Sequence, residues 1–310
     1  MAAAIALLAI VLAAAAPSYF SPENLRDLFL VNLPVLVAAI GTMVVILTGE
    51  IDISTGSSFA VCSVVAGIVA KSGVPGVFAA LAACAAGAAL GALNGALVAY
   101  ARIPSIVATL AAMVALRDAL RWSTQGAWID NLPQRFQWLG VSQEAFPILA
   151  AIIVSTLFVA VAWTLRHLAA GRAVYATGSN AEAARLAGID TAAVKLAVFT
   201  IAGALTGFAA LLNSVRFNQI PSNTGLGLEM KVIAAVVVGG TAITGGRGTC
   251  AGTLLGVILL GAAGPALTFL GVSAQWERAL QGAIILAAVT IDAARLPGSR
   301  RIAPAGAAGV

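Results

Sequence analysis

Apolar stretches of roughly 20 residues, enough to cross about 30 Å of hydrocarbon, recur from one end of this 310-residue chain to the other. Backbone in hydrocarbon must satisfy its own hydrogen bonds, so only helices or a closed barrel can use such stretches. Barrel strands alternate apolar with polar residues, and these runs do not. The chain therefore reads as an all-α, polytopic integral membrane protein. Charged residues make up only 9% of it, against roughly 25% in a soluble domain, and mean hydropathy is +1.01. Abundant Ala and Gly suit helices that approach closely where lipid supplies no hydrophobic drive.

Apolar runs between breakers give about ten segments, near residues 1–16, 25–48, 57–70, 74–100, 105–121, 146–167, 193–213, 230–245, 251–271 and 277–294. Segments 57–70 and 230–245 are short, and are expected to be tilted, broken or partly re-entrant, as happens where a pathway is lined. Residues 1–16 lack the positive n-region of a secretory signal and are read as a first, short span, with a cleaved signal as the alternative. The whole of 1–310 is read as one transmembrane domain.

The connection from Arg166 to Lys195, with Arg172 and Arg185 inside it, is the longest basic loop, and the tail adds Arg295, Arg300 and Arg301. The positive-inside bias puts both in the cytoplasm, with Arg102, Arg247 and both termini. The other face keeps Arg26, Lys71, Arg121, Arg135, Arg216, Lys231 and Arg278, partly offset by Asp27, Glu229 and Glu277. The net charge of +5 is spread over short loops, which is no footprint for nucleic acid.

Three segments carry glycines four residues apart: Gly87, Gly91 and Gly95; Gly203 and Gly207; Gly252 and Gly256. Each set shares one helix face, suited to tight packing or to a sliding contact. Leu90–Pro104 and Leu255–Val272 share a Leu-Gly start and a small-residue texture, a hint of an internal repeat.

Several chemistries are missing from the sequence. Gly239–Gly248 is Gly-rich but contains no Lys, so there is no phosphate-binding loop of the GxxxxGK[ST] kind. The one histidine, His167, follows Arg166 at a helix end, where the helix C-terminus favours a cation. No HExxH pair, GxSxG elbow or metal-spaced carboxylate cluster is present, and Cys62, Cys84 and Cys250 show no CxxC spacing. The chain reads as no enzyme, with no metal or cofactor, and energy for any transport must come from a partner or an ion gradient.

Residues 171–190 interrupt two apolar spans with a polar loop and a short helical signature. Ser179 or Asn180 can cap the helix start, and Gly188 suits a left-handed exit. A two-turn helix outside the membrane is costly to order unless something docks on it. It is therefore a frayed solvated loop or a coupling helix received by a partner's cleft.

Glu50 and Asp52 beside an apolar run must face protein, water or the membrane surface. Asp52 or Ser54 can cap the following helix, or the pair can form a moving polar element near a pathway. Asn94, Thr109, Arg117, Asp118 and Asn213 lie in or near spans, where polar groups are functional candidates by default. Pairing of Asp118 with Arg121 and cross-helix bonding by Asn94 are the packing alternatives. Trp122, Trp128, Phe136 and Trp138 fall on the outer side, as an aromatic belt or as a loop over the outer mouth, with Arg216 to Lys231 as the other outer loop.

Taken in order, several stretches resemble a known family. They are Gly49–Ser54 with Gly56 and Ser57; Leu93–Gly95; Arg102–Leu110; Gly171 and Arg172 with Tyr175–Gly178; and Ala183–Arg185. Ile220 and Pro221 with Gly227–Lys231, and Val238–Gly240 with Gly245 and Gly246, complete the set. The chain resembles the permease subunits of ATP-binding-cassette importers for monosaccharides, of the ribose, rhamnose and autoinducer-furanose branch. The resemblance implies a ten-helix permease of vitamin-B12-importer-like architecture in the bacterial inner membrane. It also implies a second permease subunit, identical or not, a cytoplasmic ATPase and a periplasmic sugar-binding protein. The coupling segment would be 171–190, with Arg172, Ser179, Asn180, Glu182, Arg185 and Gly188 facing the ATPase. Glu50, Asp52, Ser54, Asn94, Thr109, Asp118, Asn213, Glu229 and Lys231 are the pathway or gating candidates. An ion-gradient-driven carrier using Glu50 and Asp52, or a related branched-chain amino-acid permease, are the alternatives.

Overall fold

Short polar side chains set the helix starts, because each offers an oxygen to N–H groups that have no partner inside the helix. Ser21 accepts from the Asn24 amide at 3.4 Å, Asp190 from Ala192 and Ala193 at 3.0 Å, and Thr249 from Gly252 at 3.1 Å. In the computed structural model these residues open the helices α2 (Pro22–Leu47), α9 (Thr191–Ser214) and α11 (Cys250–Phe269). The structure describes residues 1–273 and, after them, 275–277, 279, 282, 283, 286 and 290. The other helices are α1 (Ala2–Ala15), α3 (Thr55–Lys71), α4 (Gly76–Ala99), α5 (Ser105–Thr124), α6 (Phe146–His167), α7 (Ala169–Ser179), α8 (Ala181–Leu186) and α10 (Leu228–Val238). No strand occurs among the described residues, apart from one bridge between Ile129 and Ile220. The expected tenth span, 277–294, and the basic tail lie outside the continuously described part.

Among the described residues, five helices are long and apolar enough to cross a membrane: α2, α4, α6, α9 and α11. α2 is buried on every side from Val37 to Thr48, as befits a helix that is apolar all round, and it forms the centre of the protein. The segment at 230–245, expected to be tilted, broken or partly re-entrant, holds a short helix: α10 stops at Val238 and reaches about 16 Å, half a bilayer. Gly240, Gly245 and Gly246, at φ 94°, 85° and 73°, turn the chain where a helix would need negative φ. α3 keeps close to its expected limits.

Contacts between the helices follow a pattern. α2 packs on α9; α3 packs on α9 and α4, while α10 packs on α2 and α11; α4 packs on α9, while α11 packs on α2. Exchanging α2 with α9, α3 with α10 and α4 with α11 leaves this pattern unchanged. The C-terminal end of α2 and the N-terminal end of α9 meet through Glu50 and Lys195, so the two units run in opposite senses. The two units form an inverted arrangement, and Leu90–Pro104 and Leu255–Val272 begin at different turns of α4 and α11, so their weak likeness does not align in it.

Glycine holds the longest of these contacts together. Gly87 and Gly91 of α4 lie against the Gly203 and Phe199 carbonyls of α9, and Gly207 lies against the Ala83 carbonyl. Two of the three glycine ridges thus face each other, and Gly252 and Gly256 face Gly239 and Ala235. The contacts are backbone on backbone. We predict that Gly91→Val lowers stability by about 3 kcal/mol through overpacking. Gly76→Ala, where the nearest atom to the new methyl is 3.9 Å away, should leave it nearly unchanged. Denaturation of both variants in mixed detergent micelles checks this.

Candidate functional site

The chain leaves α2 at Leu47 and turns back into the protein as an extended segment that ends where α3 begins. Extended backbone away from water needs outside partners for its amides. The Ile51 amide donates to Ser105 Oγ at 3.2 Å and the Ile53 amide to Thr109 Oγ1 at 3.1 Å, both on the first turns of α5. Asn94 Nδ2 of α4 donates to Ser54 Oγ at 2.8 Å, and that hydroxyl donates to Asp52 Oδ1 at 2.6 Å. The Ser54 amide adds a third bond, to the same oxygen at 2.8 Å.

Asp52, Ser54, Asn94 and Thr109 are therefore brought together, and all four are buried. Neither Asp52 nor Ser54 caps α3 by its side chain, contrary to the expectation for this pair. The Asp52 carboxylate turns back on Ser54, two residues along. Glu50 separates from Asp52 and pairs with Lys195 of α9.

The second broken segment mirrors the first. After α9 the chain crosses the end of the protein away from α7 and α8, bonds with the loop before α6 through the Ile129–Ile220 bridge, and turns back toward α10. Leu132 and Phe136 of that loop are buried, while Trp122 and Trp128 are exposed, so the aromatic segment divides between cover and surface. Arg117 of α5 donates to the Thr224 carbonyl at 3.0 Å. Gly56 of α3 lies against the Gly225 carbonyl and the Glu229 carboxylate, so the N-termini of α3 and α10 meet inside the protein. A cavity of about 300 Å³ opens above this junction, lined by Asn213, Phe217, Asn218, Gln219, Thr224 and Gly225 among others.

The remaining pathway candidates scatter. Asp118 is exposed on α5 and forms no ion pair with Arg121, since the ion pairs of the described residues lie elsewhere. Lys231 lies 3.6 Å from Glu277.

At the other end of both broken segments lies a knot of small residues. The expected loop over 171–178 is helix instead, α7, whose Thr177 and Val174 are buried. Gly178 lies against the Leu47 carbonyl and the Gly246 amide, Gly245 against Gly49, and Gly246 against Ser179. The Gly246 amide donates to the Leu47 carbonyl at 2.9 Å, and Tyr175 Oη donates to the Gly248 carbonyl at 2.8 Å. Burial, and secondarily the nearby Cys250, push the Tyr175 phenol above its usual range, which keeps it a donor. The exits of α2 and α10 are thus clamped on one elbow, between α7 and α8.

Asn180 caps α8, accepting from Glu182 and Ala183 at 3.0 Å, and Gly188 leaves it at φ 84°. Arg172 turns to the His167 carbonyl at 3.3 Å. Arg185 sits 3.6 Å from Glu182 with both side chains mostly exposed, and Leu186 beside it is 85% exposed. A groove of about 730 Å³ separates α8 from the α4–α5 turn, with Arg102, Arg185, Asp190 and Lys195 on its walls. Lys195, Leu186 and the glycine knot were not singled out as site residues by sequence reasoning. The glycines lay in the motif stretches, Leu186 in the 171–190 segment and Lys195 at the end of the basic loop.

Inverted helical units whose short helices start inside the protein are an architecture of transport proteins, and the fold and site define a multi-pass membrane permease. The chain belongs to the family described as branched-chain amino acid transport system / permease component, whose family model matches residues 24–289. It is similar to the ribose import permease protein of Escherichia coli (strain K12), with 34% identity over 293 residues, 93% of this chain and 91% of that one. It is also similar to autoinducer 2 import system permease proteins. The one from Enterobacter sp. (strain 638) is 35% identical over 94% of this chain and 86% of its own, and that from Salmonella typhi 37% over 93% and 85%. No solved structure matches the chain. The family resemblance read from the motif stretches is borne out.

The Glu50–Lys195 pair joins the two inverted units, with side chains 14% and 23% exposed. We predict a coupling energy of about 1.5 kcal/mol for it, the scale of a charged hydrogen bond. Glu50→Lys should destabilise, and adding Lys195→Glu should restore most of the loss, as read by a double-mutant cycle on detergent denaturation.

Proposed function

We propose that this chain is the permease subunit of an ATP-driven importer that moves a monosaccharide inward across the bacterial inner membrane. The observation that carries the reading is the exposed α7–α8 elbow, which clamps the exits of both broken segments and presents Arg185 and Leu186 outward. An exposed leucine on a helix of six residues (α8, Ala181–Leu186) suits docking on another protein better than solvation, since so short a helix gains little order alone. The described residues include no group of three or more potential metal ligands, and the sequence has no phosphate loop. The driving energy is accordingly assigned to a cytoplasmic ATPase that receives α8.

Residues 1–310 act as a single transmembrane domain in this proposal, paired with a second permease subunit and supplied by a periplasmic sugar-binding protein. The elbow, Arg102 and Arg247 face the cytoplasm, with both termini on that side. Arg172, Ser179, Asn180, Glu182, Arg185 and Gly188 build or border the docking helix. Among the pathway candidates, Asn213 and Glu229 lie at the inner junction or its cavity, while Asp52, Ser54, Asn94 and Thr109 hold the re-entrant backbone in place. Ribose and autoinducer 2 in the names of the similar permeases favour a sugar over a branched-chain amino acid as cargo. Glu50 is matched by Lys195 and Asp52 by its donors, which favours ATP over an ion gradient.

The test is co-purification. We predict that Arg185→Glu abolishes recovery of the ATPase with the tagged permease, while the variant keeps its thermal transition in detergent. An exposed pair such as Arg185–Glu182 contributes at most about 1 kcal/mol to stability, so the core should not notice the change. Normal recovery of the ATPase by this variant would remove Arg185 from the docking site, and a wild-type chain that purifies without any ATPase would remove the importer reading.

A further inference from the structure

α6 runs for 22 residues, about 33 Å, enough to cross the hydrocarbon and bring its last turn to the membrane surface. Ile148, Ile152, Val159 and Trp163 on it are each more than half exposed. They stand four, seven and four residues apart and so share one face, which Arg166 continues three residues further on. An open apolar face on a spanning helix rests against acyl chains. Trp163, one turn before the helix end, is where an indole settles at the level of the headgroups.

That end is basic. Arg166 and His167 form the last turn, and Arg172 comes back to it from α7, its guanidinium donating to the His167 carbonyl at 3.3 Å. The His167 ring stacks on Trp163, with centroids 4.2 Å apart. Arg166, His167 and Arg172 are all exposed. The α6 C-terminus attracts cations, but its dipole amounts to roughly half an elementary charge, against two guanidinium groups. No acidic residue occurs in the sequence between Glu144, at the opposite end of α6, and Glu182. On the elbow's side, Glu182 pairs with Arg185, Glu50 with Lys195, and Asp190 caps α9. Among the described residues no ion pair includes Arg166, His167 or Arg172.

We propose that this end of α6 binds an anionic phospholipid of the adjoining leaflet. Arg166 and Arg172 hold its phosphate, a ring N–H of His167 adds a third donor, and an acyl chain lies along Trp163 and Val159. Guanidinium groups match phosphate oxygens in pairs, whereas a zwitterionic headgroup brings its own cation against theirs. An acidic protein surface would cover the cations and leave Trp163 and Val159 bare. The continuous cationic and apolar surface therefore favours a lipid. The inference rests on the chain being a membrane-spanning permease and needs neither the ATPase nor the sugar.

Native mass spectrometry of the full chain in mild detergent, titrated with dioleoylphosphatidylglycerol or dioleoylphosphatidylcholine, provides the test. The wild type should bind the glycerol lipid about 30-fold more tightly than the choline lipid, near fivefold for each arginine. Arg166→Gln with Arg172→Gln should remove most of that preference, and Arg166→Lys with Arg172→Lys, which keeps the charge, should retain it. Arg247→Gln removes an exposed cation at the same end but off α6, and should also retain it. A wild type without the preference, or a glutamine variant that keeps it, overturns the site. Loss in the lysine variant as well assigns the effect to the fold, and loss in Arg247→Gln assigns it to net charge; either overturns the site. ATPase recovery is read separately: if it persists in the wild type while the lipid preference is missing, only this inference falls.

Discussion

Backbone that leaves helical geometry inside a membrane has no water to bond with, and this protein breaks two of its helices there. The rest of the structure follows from meeting that demand. Ser105 and Thr109 take the amides of Ile51 and Ile53, Asn94 donates to Ser54 and Ser54 to Asp52, and Arg117 binds the Thr224 carbonyl. Polar side chains that would be expensive facing lipid become the means by which extended chain is held at depth. α5 serves both broken segments, from its first turn and from its fourth, which gives a reason for a helix of 20 residues that carries Arg117, Asp118 and Arg121.

The inverted arrangement explains why the breaks come in a pair. Each unit contributes one short helix, α3 or α10, and the two starts meet at Gly56, Gly225 and Glu229, while the exits of α2 and α10 meet at Gly49, Gly245 and Gly246 around Gly178. Between these points the glycine-to-carbonyl contacts of α4 with α9 and of α10 with α11 allow little independent movement of neighbouring helices. A rigid frame with two narrow contacts is suited to switching between discrete arrangements, since close-packed interiors do not deform continuously.

Much of this was legible before any coordinates. The short apolar run at 57–70 and the Gly-rich end of 230–245 announced broken spans, because a run under about 20 residues cannot cross unaided. Asn180 and Gly188 marked the limits of α8 through cap chemistry that needs no tertiary context. α7 was misjudged because Gly171, Thr177 and Gly178 disfavour helix locally. Burial of Val174 and Thr177 and the Tyr175 bond to Gly248 outweigh that propensity. Asp52 looked like a cap by position, but its oxygen is claimed by Ser54, which a partner 40 residues away on α4 orients.

By itself the sequence determined the membrane as solvent, the helical class, the order of spans, the family and the absence of a phosphate loop. The family came from the likeness of the motif stretches to known permeases, and the others follow from local composition, period or spacing, which a chain carries whether folded or not. Only the tertiary structure decided which polar residues act together. The partners Glu50 and Lys195 are 145 positions apart, and Gly56 meets Glu229 across the whole central part of the chain. Such meetings depend on how two inverted units pack, and packing is a property of shapes in contact that no single stretch encodes.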